Sequence, residues 1–239
     1  MGDQMKENTS SRLAVIESKW NNGESIMRKN ASVKPMFDML CDLHFESLHD
    51  YSYEMVATSS ALDDAIKRMA WDRDIATIYI AAHGGADGIH LHGWDREVIT
   101  RKQLSKMLLQ GGTKRTLKGV YLGSCEFGNR ELAEYLLSRD KNLQWVAGYS
   151  SSADFIDGTA LDIMFFNYWF GHLSKEPEMR PRDLVELVAE DLKERCNGMI
   201  NTPAENGYGD DDDAPGMGFS IFVRSKGRAS KVIDLIREY

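Results

Sequence analysis

The stretch Ile75–Ala82 constrains this chain most. It reads IATIYIAA, an apolar run rich in β-branched side chains with no regular polar alternation. A strand with one wet face alternates, whereas a strand covered on both faces does not. Such a strand belongs inside a parallel sheet with helices packed on either side. The next residues are His83-Gly84-Gly85, so the run delivers an imidazole to its own carboxyl end. In open α/β sheets, ligands bind beyond that end.

The rest of the chain supplies the alternation that such a sheet needs. Leu13–Ile16 is a short apolar run and a first strand. From Pro35, the spacing of Met36, Phe37, Leu40, Leu43 and Leu48 is helical, and proline suits a first helical turn. Tyr51–Ala57 alternates and reads as an edge strand. Ser59 or Ser60 caps a helix carrying Leu62, Ala65, Ile66 and Met69. After the central run comes a small excursion around Ile89–His92. Thr100 and Gln103 then form a capping box, and Gly111-Gly112 ends its helix. Leu117–Leu122 is a second apolar strand, leading into Gly123-Ser124-Cys125. A helix over 129–138 and a strand over Gln144–Tyr149 follow.

Two helices come next. The one from about Asp157 is apolar nearly all round, which predicts burial, and the other starts near Pro181. Residues 201–216 form an acidic, polar linker before a last strand, Phe219–Val223, and a short terminal helix over 230–238. The pattern predicts an α/β three-layer sandwich on a mainly parallel sheet. Residues 1–11 are expected to be a flexible terminus and 12–239 a single domain.

Composition narrows the partners. A net charge of −8 and a pI of about 5.3 argue against nucleic acid or an anionic membrane surface. No apolar run approaches the roughly 20 residues that span a bilayer. The N-terminal MGDQMKENTSSR lacks the apolar core of a signal peptide, and three sparse cysteines make a poor disulfide framework. A reducing, cytoplasmic setting is therefore expected.

Cys125 stands where a reactive cysteine should. It closes an apolar strand and precedes a helix, whose N-terminal dipole and open N–H groups favour a thiolate. His83 closes another apolar strand and can take the thiol proton, then return it to a leaving amine. Gly84 leaves its backbone bare, so its N–H and that of Cys125 can form an oxyanion hole. Cys41 and Cys196 sit among apolar helical residues and read as small buried hydrophobes.

This layout resembles the caspase-like superfamily of cysteine peptidases, which includes caspases, metacaspases, gingipains, legumain and separase. The resemblance covers about residues 13 to 224 and rests on apolar strand–His83–Gly84, then apolar strand–Gly123-Ser124-Cys125. It implies a six-stranded sheet of order 2-1-3-4-5-6, catalytic His83 and Cys125, peptide-bond hydrolysis and no cofactor. Caspases place Cys in Gln-Ala-Cys-Arg-Gly, whereas this chain has Ser124-Cys125-Glu126-Phe127-Gly128. Metacaspases usually carry an Asp where this chain has Gly123. A divergent, bacterial-type member is expected. The superfamily often sets specificity in the loop after the fifth strand, here Gly148–Asp157. Asp154 or Asp157 would there bind a basic P1 side chain, although Asp157 is equally well placed to cap a helix.

The expected partners are a protein or peptide substrate, a regulatory protein, and a second copy pairing through Phe219–Val223, as caspases do. His83, His90 and His92 with Asp95 lack a zinc-ligand spacing, so no metal is expected. Asp210–Asp213 lacks the spaced ligands of a calcium loop. Gly84–Gly88 lacks the spacing of a dinucleotide or phosphate loop. The alternative from another class is a non-catalytic binding or scaffold module, in which His83 and Cys125 are incidental.

Overall fold

The computed structural model describes residues 11–18, 32–85, 87–91, 97–110, 116–151, 155–201, 217–226 and 228–238. The N-terminal ten residues, almost all of the acidic 201–216 stretch, His92, Asp95 and Asp154 lie outside them.

In chain order the elements are β1 (Leu13–Ser18), α1 (Lys34–Phe45), β2 (Ser52–Val56), α2 (Ser59–Trp71), β3 (Thr77–Ala81), β4 (His83–Gly85), β5 (Gly88–His90), β6 (Val98–Ile99), α3 (Arg101–Leu109), β7 (Gly119–Gly123), α4 (Arg130–Arg139), β8 (Trp145–Tyr149), α5 (Phe155–Leu173), α6 (Pro181–Arg195), α7 (Asn197–Asn201), β9 (Phe219–Ser225) and β10 (Arg228–Asp234).

The main sheet has seven strands in the order β10-β9-β8-β7-β3-β1-β2. The pairings β2–β1, β1–β3, β3–β7 and β7–β8 are parallel, and β8–β9 and β9–β10 are antiparallel. Strand count and order thus differ from the six-strand expectation, because β10 extends the row beyond β9. The terminal helix expected over 230–238 gives way to a strand over 228–234. These residues form a strand because the open edge of β9 offers backbone partners, which outweigh weak local preference. The expected pairing of Phe219–Val223 with a second copy rested on that strand being outermost. In the structure β10 is outermost.

Each sheet face buries its own core. Leu13, Val15, Tyr79, Tyr121, Trp145 and Ala147 pack against α1, α5 and α6. Ala14, Ile16, Ile78, Ile80, Val120, Leu122 and Val146 face α2, α3 and α4. This is why β3 lacks alternation: all five of its residues are buried. The Thr100–Gln103 capping box forms as expected and starts α3. The excursion after β3 is a small three-stranded antiparallel sheet, β4-β5-β6.

Candidate active site

The two expected chemical groups leave neighbouring strands at the same height. β3 and β7 are paired in parallel, with Tyr79 opposite Tyr121 and Ala81 opposite Gly123. Two residues further along each strand stand His83 and Cys125. The backbones meet there. A Cβ built on Gly84 would lie 2.0 Å from the Cys125 carbonyl oxygen and 2.9 Å from its amide nitrogen. Only glycine allows this approach. The structure therefore brings Gly84 against Cys125, with His83 the residue just before Gly84. His83 is exposed and Cys125 is half-buried, so solvent can reach both.

The turn after β7 is held from several sides. Glu126 adopts a left-handed backbone with φ of 57°, uncommon outside glycine. Its N–H donates to the Ser151 carbonyl at 3.2 Å, and the Gly128 N–H donates to the Tyr149 carbonyl at 2.8 Å. Arg101, at the start of α3, donates to the Glu126 carbonyl at 3.0 Å and lies 5.5 Å from the centre of the Phe127 ring. Arg101 escaped the sequence reading. The capping box announced its helix, but nothing local announced its contact with the Cys125 turn.

Beside His83, the small sheet adds a second imidazole. His83 pairs with His90 across β4 and β5, and the His90 ring nitrogen meets Asp87 at 2.9 Å. That hydrogen bond holds the Asp87 carboxyl below the usual carboxylate range. Asp157 takes no part in the contact of Gly84 with Cys125. It is exposed in the first turn of α5, where a carboxylate suits the helix dipole. Among the described residues, no three His, Cys, Asp or Glu side chains converge as a metal site.

Beneath the turn lies a buried polar cluster that sequence reasoning missed. Tyr79 and Tyr149 reach the Asp162 carboxylate at 2.6 Å each, and the Tyr121 hydroxyl also donates to it. Burial pushes the Asp162 carboxyl up to about 6, against the downward pull of the three hydroxyls. The three phenols are all raised, chiefly by burial and then by the Asp162 charge. The other two thiols are buried, whereas Cys125 is half-buried. Burial, then the charges of Asp50 and Asp38, push Cys41 up to about 12, and burial raises Cys196.

No protein-family description matches the chain, and no curated protein matches it. Solved structures do match. A secreted C11 cysteine protease from Bacteroides thetaiotaomicron, solved with an irreversible peptide inhibitor, superposes with a TM-score of 0.52 at 9% identity. The fold is caspase-like. That superposition covers 90% of this chain and 66% of the protease, so the chain spans just under two thirds of its length. A structure of pro-sf-caspase-1 is also similar, with a TM-score of 0.45, 12% identity and coverages of 87% and 89%. On the caspase-like sheet, the contact of Gly84 with Cys125 lies at the carboxyl edge of two central strands. Among the described residues, no helix is long and apolar enough to cross a membrane.

Proposed function

We propose that this protein is a cysteine endopeptidase whose nucleophile is Cys125 and whose general base and acid is His83. One observation carries the reading: β3 and β7 are paired in register, and the backbone immediately after His83 touches Cys125. The caspase-like fold, shared with a C11 cysteine protease, supports it.

The positions at one sheet edge support a thiol acyl-transfer cycle. His83 takes the Cys125 thiol proton, and the thiolate sulfur attacks the carbonyl carbon of the scissile peptide bond. The N–H groups of Gly84 and Cys125 receive the developing oxyanion. The tetrahedral intermediate collapses as the imidazolium of His83 protonates the departing amine, leaving a thioester. His83 then deprotonates a water that hydrolyses the thioester and restores the thiol. Nothing in this cycle calls for a cofactor.

Two finer elements belong to the same proposal. A basic P1 side chain is preferred, with Asp154 and Asp157 in the specificity loop as its partners; the exposure of Asp157 at the start of α5 supports its share. The setting is the cytoplasm, supported by a cysteine set too sparse for a disulfide framework.

A panel of fluorogenic peptides ending in Arg, Lys, Leu or Asp tests these points, together with a peptidyl electrophile. Hydrolysis and covalent labelling are expected after Arg or Lys, and both should be lost in Cys125→Ala and His83→Ala. Stronger cleavage after Asp would overturn the basic preference. Labelling at Cys41 or Cys196 in place of Cys125 would overturn the enzyme and leave a binding module.

A further inference from the structure

Gly123 and Gly128 bracket the turn that carries Cys125, and each is fixed by a different tyrosine. A Cβ on Gly123 would lie 2.4 Å from the Tyr79 hydroxyl, so that hydroxyl rests directly against the turn's first end. The Gly128 N–H donates to the Tyr149 carbonyl at 2.8 Å, which fixes the other end. Both tyrosines end on the carboxylate of Asp162, at 2.6 Å. Tyr121, on the strand that runs into the turn, supplies a third hydroxyl. The three come from β3, β7 and β8, which lie side by side, while Asp162 comes from α5.

We propose that Asp162 is a positioning residue for the Cys125 turn: its carboxylate holds Tyr79 and Tyr149, and these hold the turn's two ends. The proposal rests on the peptidase reading and deepens it. Asp162 touches neither substrate nor the reacting atoms.

Ionisation is central to the arrangement. A carboxylate is acceptor-only and can take all three hydroxyls, two on Oδ1 and one on Oδ2. A carboxylic acid carries a proton of its own, so one oxygen becomes a donor and one tyrosine must accept where it had donated. Burial pushes this carboxyl up to about 6, so all three hydroxyls donate to it above that pH and one of those bonds must reverse below it. The groups facing Asp162 are those three phenols. The next titratable groups are Glu17 on β1, which acts on Tyr79, and Cys125, which acts on Tyr149. Further along α5, His172 pairs with Asp191 of α6 at 2.7 Å, and His44 of α1 meets Asn167 at 3.0 Å.

The test compares wild type with Asp162→Asn and Tyr79→Phe. It reads kcat and KM from pH 5 to 8, the rate of Cys125 alkylation by iodoacetamide, and Tm. For Asp162→Asn at pH 7.5, kcat is expected to fall at least tenfold, with KM changing less than about threefold and Tm equal to or above wild type. Log kcat/KM of wild type should fall more steeply below pH 6 than that of Asp162→Asn, because only wild type takes up a proton at that carboxyl. An unchanged kcat and slope would overturn the proposal, as would activity lost only in step with Tm. Should Asp162→Asn fail to fold, Tyr79→Phe decides: a kcat loss of about threefold or more at near-native Tm supports the clamp, and wild-type kcat overturns it. Wild-type protein without Cys125-dependent hydrolysis or enhanced alkylation would instead sink the peptidase reading, and the clamp with it.

Discussion

The closest test of the site is a single methyl group. Gly84→Ala places a Cβ 2.0 Å from the Cys125 carbonyl oxygen. That oxygen is backbone, so no rotamer change relieves the clash, and the Cys125 turn must move. Displacing reacting groups by about 1 Å costs on the order of 100-fold in rate. Assayed on the best peptide of the panel, Gly84→Ala should lose about that much in kcat/KM, and activity within threefold of wild type would contradict the contact. Arg101→Met removes one charge-assisted hydrogen bond to the Glu126 carbonyl and a cation over Phe127. About a tenfold fall in kcat is expected, smaller than for Gly84→Ala because the turn keeps its bonds to Ser151 and Tyr149. The thiols divide the same way. Native protein at pH 7.5 should take up iodoacetamide at Cys125 well before Cys41, whose buried thiol is pushed up to about 12; mass spectrometry of the alkylated peptides reads the order. At this scale the meeting of Gly84 with Cys125 at one sheet edge was legible, because His83-Gly84 and Cys125 each follow an apolar strand. Asp162 was not. In sequence it is only a polar interruption of an apolar helix, and its meaning depends on three tyrosines contributed by other strands.

Strands and helices were legible where burial dictates composition. β3, β7 and α5 announce themselves through apolar runs that the packed faces require. β10 does not, because its sequence RASKVID carries little β preference and pairs through a register shift between Arg228 and Val232. What the local pattern lacks, tertiary anchors provide. Asp234 accepts the Ile221 N–H at 3.4 Å, and Arg130 donates to the Val232 carbonyl at 3.2 Å. The same edge holds a second clasp between elements. Arg224 of β9 donates to the Leu137 carbonyl at 2.9 and 2.6 Å and also reaches the Asp140 carbonyl, at the C-terminal end of α4. Those carbonyls have no further helical donors, and a cation there suits the dipole. Arg224→Met keeps the aliphatic stem and removes the bonds. It should cost about 2 kcal/mol, or roughly 4–8 °C in Tm for a domain of this size, with little effect on kcat. A loss under 1 °C in a calorimetric scan would argue against the clasp.

Across the whole molecule, the carboxyls pull stability in opposite directions as pH changes. Asp38 is lowered, since Lys34 and Tyr51 outweigh its desolvation; its share of stability is present at neutral pH and is lost as pH falls through its folded value. Asp162 works the other way. Its carboxyl is pushed up from 3.8 to about 6, so the folded state holds the proton more tightly than the unfolded chain does. Between those values stability falls as pH rises, and above about 6 the ionised group carries a penalty on the order of 3 kcal/mol. Lowering the pH from 7.5 to 5 should therefore raise the guanidinium midpoint, while Asp38 remains ionised over most of that range. Asp162→Asn has no proton to lose, so its midpoint at the two pH values should differ far less. Peptidase activity should move against stability, falling at pH 5 as the fold strengthens. This is the exchange expected where an ionised group is kept in the core for the sake of the site above it. A wild-type midpoint that drops on going from pH 7.5 to 5, in parallel with Asp162→Asn, would mean that the folded Asp162 carboxyl is not raised and stays ionised at pH 5.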